Sequence, residues 1–178
     1  MLARLGITPD EIDPAAIDES VLTGELPGDH ARRLALAKCA TVAMRHPDAL
    51  VLAADTVVAV GRRILPKAED EATARRCLDL LSGRRHRVLS AVALAGPDRT
   101  RHRLSTSIVR FKRLSGDEID AYLAGGEWHG KAGGYAIQGA AEALILRIDG
   151  SHSGIVGLPL AETRALLLAA GWPGTALG

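Results

Sequence analysis

The sequence predicts an α/β domain, and three observations carry that prediction. Leu50 to Ala54 and Val57 to Val60 form an almost wholly apolar stretch rich in β-branched residues, the mark of one strand buried on both faces. Amphipathic stretches of helical period stand on either side of it, Asp29 to about His46 and Asp70 to Leu81. Two further stretches, His86 to Leu94 and Arg103 to Phe111, flank a Gly96-Pro97-Asp98 turn and read as an antiparallel pair of strands. A chain of 178 residues is long enough for one domain, residues 1–178, with a full core and room for two lobes divided by a cleft.

Taken in order, Leu2 and Leu5 before Gly6 read as the last turn of a helix with a glycine cap. Thr8 to Asp29 is acidic and broken by Pro14, Gly24, Pro27 and Gly28, which predicts an extended loop whose carboxylates are mostly solvated. Asp29 then caps a helix that Pro47 stops. Leu34, Lys38 and Val42 are spaced by four on it, so Lys38 lies on or beside the buried stripe. Its ammonium either reaches water over the core or points into a cleft.

The strand that follows is interrupted by Asp55 and Thr56. A carboxylate in the most hydrophobic strand needs a cation or a metal, since burying it alone costs several kcal/mol. Gly61-Arg62-Arg63 reads as a hairpin turn that returns Ile64-Leu65-Pro66 and brings Lys67 back toward Asp55. The plainer alternative is that Asp55 ends an element and Lys67 is a surface residue.

After the second helix and the antiparallel pair, Ser115 and Glu118 have capping-box spacing and open a short helix through Leu123. Gly125 to Gly157 holds nine of the 19 glycines. Two readings stand for it: a cradle of backbone N–H groups for phosphate, with Lys131 inside it, or tight turns around a strand from Ala143 to Ile148. Leu158-Pro159 opens a terminal helix ended by Gly171.

Composition narrows the classes. Hydrophobic residues at 47% and charged residues at 24% fit an ordinary globular protein and exclude a largely disordered one. No apolar run spans a membrane and the N-terminus lacks a signal-peptide core, which predicts a cytoplasmic protein with no membrane partner. The net charge of +1 gives no general attraction to nucleic acid. Cys39 and Cys77 lack metal or disulfide spacing and read as core residues. With only four lysines, Lys38, Lys67, Lys112 and Lys131, the placement of three in otherwise notable stretches marks them as candidates.

Several stretches together match one pattern. LAADTVV, ILPK, LSGRRHRV, GKAGGYAIQG and GSHSGIVGLPL resemble, in order and spacing, the Maf family of nucleoside triphosphate pyrophosphatases. The resemblance implies a curved mixed sheet flanked by helices, with two lobes and a central cleft. It implies hydrolysis between the α and β phosphates, with a divalent metal, Mg²⁺ or Mn²⁺. Carried over by residue, it makes Asp55 the catalytic carboxylate, as proton acceptor or metal ligand, with Glu19 a second carboxylate beside it. Lys38 and Lys67 bind phosphates, and Thr56 and Gln138 resemble the branch acting on dTTP and UTP. Pro66 stands where the family has glycine. The family's opening S-x-S-P-R-R loop has no counterpart here, so the expectation is an N-terminally truncated domain with an exposed sheet edge that favours a homodimer. A non-catalytic nucleotide-binding regulator of septum formation is the alternative that this departure raises.

Overall fold

The computed structural model describes residues 1–172. Pro27–Ala43 forms α1, with Pro27 in the first turn and Leu26 at the cap, so Asp29 sits inside the helix and does not cap it. Val51–Val60 is a single strand, β1, running straight through Asp55 and Thr56. Gly61 takes a left-handed φ of 58° in the tight turn to Arg63–Leu65, β2. Glu71–Leu81 is α2, where the Asp70 side chain accepts from the Thr73 N–H at 2.6 Å. Arg85–Ala95 and Thr100–Phe111 are β3 and β4. Gly116–Ala124 is α3, opened by the expected capping box of Ser115 and Glu118. Ile145–Asp149, His152–Val156 and Leu160–Ala169 are β5, α4 and α5.

The sheet has the order β2-β1-β3-β4-β5, and all four ladders are antiparallel. The α/β class holds, but no parallel neighbours occur among the described residues. The α2 crossover places β2 and β3 on opposite sides of β1, so the two strands it joins never pair directly.

One face of β1 and β3 is covered by α1. Its Ala31, Ala35 and Cys39 are fully buried against Val51, Val57, Ala91, Ala93 and Ala95. Small side chains spaced by four let the helix lie close on the sheet. The opposite face carries two separate apolar clusters. Val58, Val88 and Val109 pack with α2 and α3, while Val92 and Leu94 pack with Leu166 and Leu167 of α5. Between them on that face lie Thr56 and Ser90, hydrogen-bonded at 2.8 Å.

Three local readings change. Residues 140–144 form a 3-10 turn, which delays the expected strand from Ala143 to Ile145. The acidic loop is less solvated than its composition predicts. Glu25 pairs with Arg33 at 2.6 Å and His30 at 2.8 Å, Asp13 pairs with Arg45 at 2.8 Å, and Glu19 turns inward. Its irregular backbone is held by these ion pairs in place of a ladder. Leu2–Leu5 is a single 3-10 turn capped by Gly6.

Candidate active site

Alternation along β1 decides which way Asp55 points. Val51, Ala53, Asp55, Val57 and Ala59 share the face toward α1, so Asp55 is carried to the helix that bears Lys38. Lys38 Nζ lies 2.7 Å from Asp55 Oδ1 and 2.7 Å from Glu19 Oε1. Glu19 Oε2 in turn accepts from Lys67 Nζ at 2.6 Å. Four residues from the loop, α1, β1 and the segment after β2 therefore form one chain of alternating charge. The cation that Asp55 requires is Lys38. Lys67 reaches Glu19 instead: pairing of β1 with β2 ends at Val58↔Leu65, Pro66 has no N–H to extend it, and Lys67 turns to bridge Ala132.

The electrostatics follow from these contacts. Hydrogen bonds from Lys38 and then Lys67 hold the Glu19 carboxyl down at about 2, against a smaller opposing effect of burial. Burial alone would lower Lys38, but the bonds and charges of Asp55 and Glu19 outweigh it and raise its pKa. Exposure grades outward, from 6% for the Asp55 side chain to 18% for Lys38 and 49% for Lys67.

A cavity of about 310 Å³ opens on this group. Lys38, Asp55, Thr56, Lys67, Lys131 and Gln138 all line it. A larger cavity, about 550 Å³, runs between the 7–15 segment and β1, but Asp55, Lys67 and Gln138 are absent from its wall. Glu11, Asp13 and His46, on that second cavity, bring three ligand atoms within 4.8 Å of one another. There Asp13 is already satisfied, by Arg45 at 2.8 Å through both oxygens and by His46 at 2.9 Å.

The glycine-rich segment resolves in favour of turns. Gly130 N–H donates to Ala68 O, Lys131 N–H to Trp128 O, Gly133 N–H to Pro66 O and Gly134 N–H to Lys131 O. These groups are spent inside the protein and cannot cradle a phosphate. Gly133 is required for a closer reason: at φ 71°, a Cβ there would come within 2.8 Å of Val58. The segment thus folds tightly onto β1 and presents side chains, Lys131 and Gln138, to the cavity.

Two residues that sequence reasoning passed over support this wall. Ser90 Oγ donates to Gly154 O at 2.5 Å, which leaves Thr56 Oγ1 to supply the proton of the Thr56–Ser90 bond. Thr56 then turns only acceptor lone pairs to the cavity. The available signal was a serine inside the apolar run VLSAVALA. His86, 2% exposed, bonds the Tyr135 hydroxyl through Nε2 at 2.8 Å. Ala136 N–H donates to the Tyr122 hydroxyl at 3.0 Å. Both contacts pin the residues leading to Gln138. Burial lowers His86 to about 4, so its ring is neutral, and among the described residues its Nδ1 has no hydrogen-bond partner.

The chain is similar to known proteins over nearly its whole length. The family model described as "Maf-like protein" matches residues 1–170. A dTTP/UTP pyrophosphatase of Novosphingobium aromaticivorans is 64% identical over 172 residues, 96% of this chain and 86% of the relative. One from Paramagnetospirillum magneticum is 62% identical over 168 residues, 94% of this chain and 88% of the relative. One from Zymomonas mobilis is 59% identical over 174 residues, covering 97% and 86%. With a match that runs through every strand and helix bearing the cavity, the chain belongs to the Maf family.

Proposed function

We propose that this chain hydrolyses nucleoside triphosphates, dTTP and UTP foremost, to the monophosphate and pyrophosphate in the cytoplasm. The observation that carries the reading is the convergence of Asp55, Lys38, Lys67, Thr56 and Gln138 on one cavity. The names of the similar proteins support it independently. Among the described residues no helix is long and apolar enough to cross a membrane.

Each residue has a role in this reading. Asp55 takes the proton of the water that attacks the α-phosphorus in line. Lys38 and Lys67 neutralise the phosphate oxygens and the charge that develops on the leaving pyrophosphate. Glu19 holds both ammonium groups in place through its two oxygens. Thr56 accepts from the N3–H of uracil or thymine, and the Gln138 amide, which both donates and accepts, meets the O4 edge. Asp55 and Glu19 supply the oxygen donors that Mg²⁺ and Mn²⁺ take; both carboxylates meet Lys38 Nζ at 2.7 Å, so a divalent cation held between them would take the place of that ammonium and leave Lys38 to the phosphates. Such a cation, held by these two residues, supplies charge neutralisation at the phosphates when bound.

The test is pyrophosphate release from a panel of nucleotides, with and without a chelator. Release of pyrophosphate from dTTP and UTP, lost on chelation and restored by Mg²⁺ or Mn²⁺, is the expected result. Orthophosphate release, or better turnover of 7-methyl-GTP, would overturn it.

A further inference from the structure

We infer that Lys131 binds the pyrophosphate end of the nucleotide, a role that rests on the activity proposed above. Three observations lead there. The first is charge balance around the cavity. Lys38 and Lys67 are engaged by Asp55 and Glu19, and the two cations and two carboxylates cancel. Lys131 lines the same cavity, and among the described residues it forms no ion pair or side-chain hydrogen bond. It is the uncompensated cation of this wall, and a polyphosphate is the ligand that such a charge attracts most.

The second observation is the platform. Lys131 N–H donates to Trp128 O at 3.0 Å, while its carbonyl accepts from Ala68 and Gly134 N–H, both at 3.0 Å. Ala132 bridges Lys67 directly. The lysine therefore stands beside Lys67 on a backbone whose hydrogen bonds are complete, and only its side chain is free to meet a ligand. A fixed backbone reduces the ordering cost of that contact.

The third is depth. Asp55, which the proposed chemistry sets at the α-phosphorus, is 7% exposed, whereas Lys67 and Lys131 lie at the exposed rim. Gln138, set at the base, is exposed as well, so depth separates Asp55 from both ends of the nucleotide; the Lys67–Ala132 bridge, which stands Lys131 beside the phosphate-binding Lys67, sets it at the phosphate end. Lys131 thus contacts the β and γ phosphates, and after cleavage it holds the leaving pyrophosphate.

The experiment compares two product ligands, inorganic pyrophosphate and UMP, by calorimetry on the full chain, its Lys131→Met variant and its Lys131→Arg variant. Losing one charge-assisted contact should weaken pyrophosphate binding about 10- to 100-fold in Lys131→Met. UMP binding should change less than about twofold, and Lys131→Arg should restore pyrophosphate binding to near the parent. Because the side chain is exposed and unpaired, both variants should melt with the parent. Unchanged pyrophosphate affinity in Lys131→Met, or equal losses for both ligands, would overturn the assignment. A parent that releases pyrophosphate from UTP while Lys131→Met behaves identically removes this inference alone. A parent that neither binds pyrophosphate nor releases it from any nucleotide removes the proposed function as well.

Discussion

Lys38 Nζ stands 2.7 Å from Asp55 Oδ1, and the pair joins the middle of α1 to the middle of β1 across a site where the carboxylate is only 6% exposed. Removing one member of such a pair leaves a buried charge uncompensated, which costs about 3–5 kcal/mol. Lys38→Met should therefore lower the stability to urea by about that amount. Adding Asp55→Asn to it should recover a substantial part, since the stranded charge goes with it. Additive losses in the double variant would mean that the two side chains do not depend on each other.

Asp55→Asn alone keeps the shape of the side chain and removes its capacity to take a proton. Turnover of UTP should fall by roughly 10²-fold or more if Asp55 is the general base. Steady-state pyrophosphate release measures it, and turnover at the parent's rate would exclude Asp55 from the chemistry.

Ser90 controls the hydroxyl proton of Thr56 without lining the cavity. In Ser90→Ala, the Thr56 hydroxyl loses its 2.8 Å acceptor and keeps only the Gly157 carbonyl at 3.5 Å, so its proton is held weakly and can turn to the ligand. Uracil presents a donor at N3 where cytosine presents an acceptor, so the preference for UTP over CTP should drop by about tenfold. The ratio of kcat/KM values for the two nucleotides is the measurement; a ratio equal to the parent's would remove Thr56 from base recognition.

His86 gives the fold an acid-sensitive element. Its ordinary value of 6.5 applies to the unfolded chain, and burial lowers the native value to about 4. The unfolded state thus takes up its proton first, so the contribution is complete above pH 6.5, declines as pH falls toward 4, and is gone below that. The gap corresponds to about 3 kcal/mol. His86→Phe, packed against Phe111 and Tyr135, should flatten the pH dependence of stability between those limits relative to the parent. Parallel curves for the two proteins would show that His86 is not the group responsible.

Gly133→Ala tests the close approach of the loop to β1. A left-handed φ costs a non-glycine residue about 1–2 kcal/mol, and the contact with Val58 adds to it. The variant should be destabilised by about 2–4 kcal/mol. In a Val58→Ala background the same change should cost less, because the Cγ1 and Cγ2 contacts are removed while the 3.1 Å approach to Cβ and the backbone part remain. Thermal unfolding of the four proteins supplies the comparison, and an equal cost in both backgrounds would rule out the clash.

The sequence alone determined the α/β class, the single strand through Asp55, the capping box at Ser115 and the candidate residues Asp55, Glu19, Lys38, Lys67, Thr56 and Gln138. The first three follow from local quantities, apolar period with turn and cap chemistry; the candidate set follows from motif strings, with the roles of Glu19, Thr56 and Gln138 implied by the resemblance to the Maf family alone. Even the need for a cation beside Asp55 was legible, because the cost of burying a carboxylate does not depend on where the cation comes from. Which cation it would be was decided by the tertiary structure. Strand alternation faces Asp55 toward α1, and Pro66 ends the ladder before Lys67 can sit opposite. The glycine-rich segment was undecided for the same reason. Its N–H groups have the same chemistry in a phosphate cradle as in a packed turn, and only the positions of Pro66, Ala68 and Trp128 carbonyls reveal that they are already taken. The acidic loop, likewise, has no periodic pattern; Glu19 acquires its place only when α1 and the hairpin set two lysines within reach of one carboxylate.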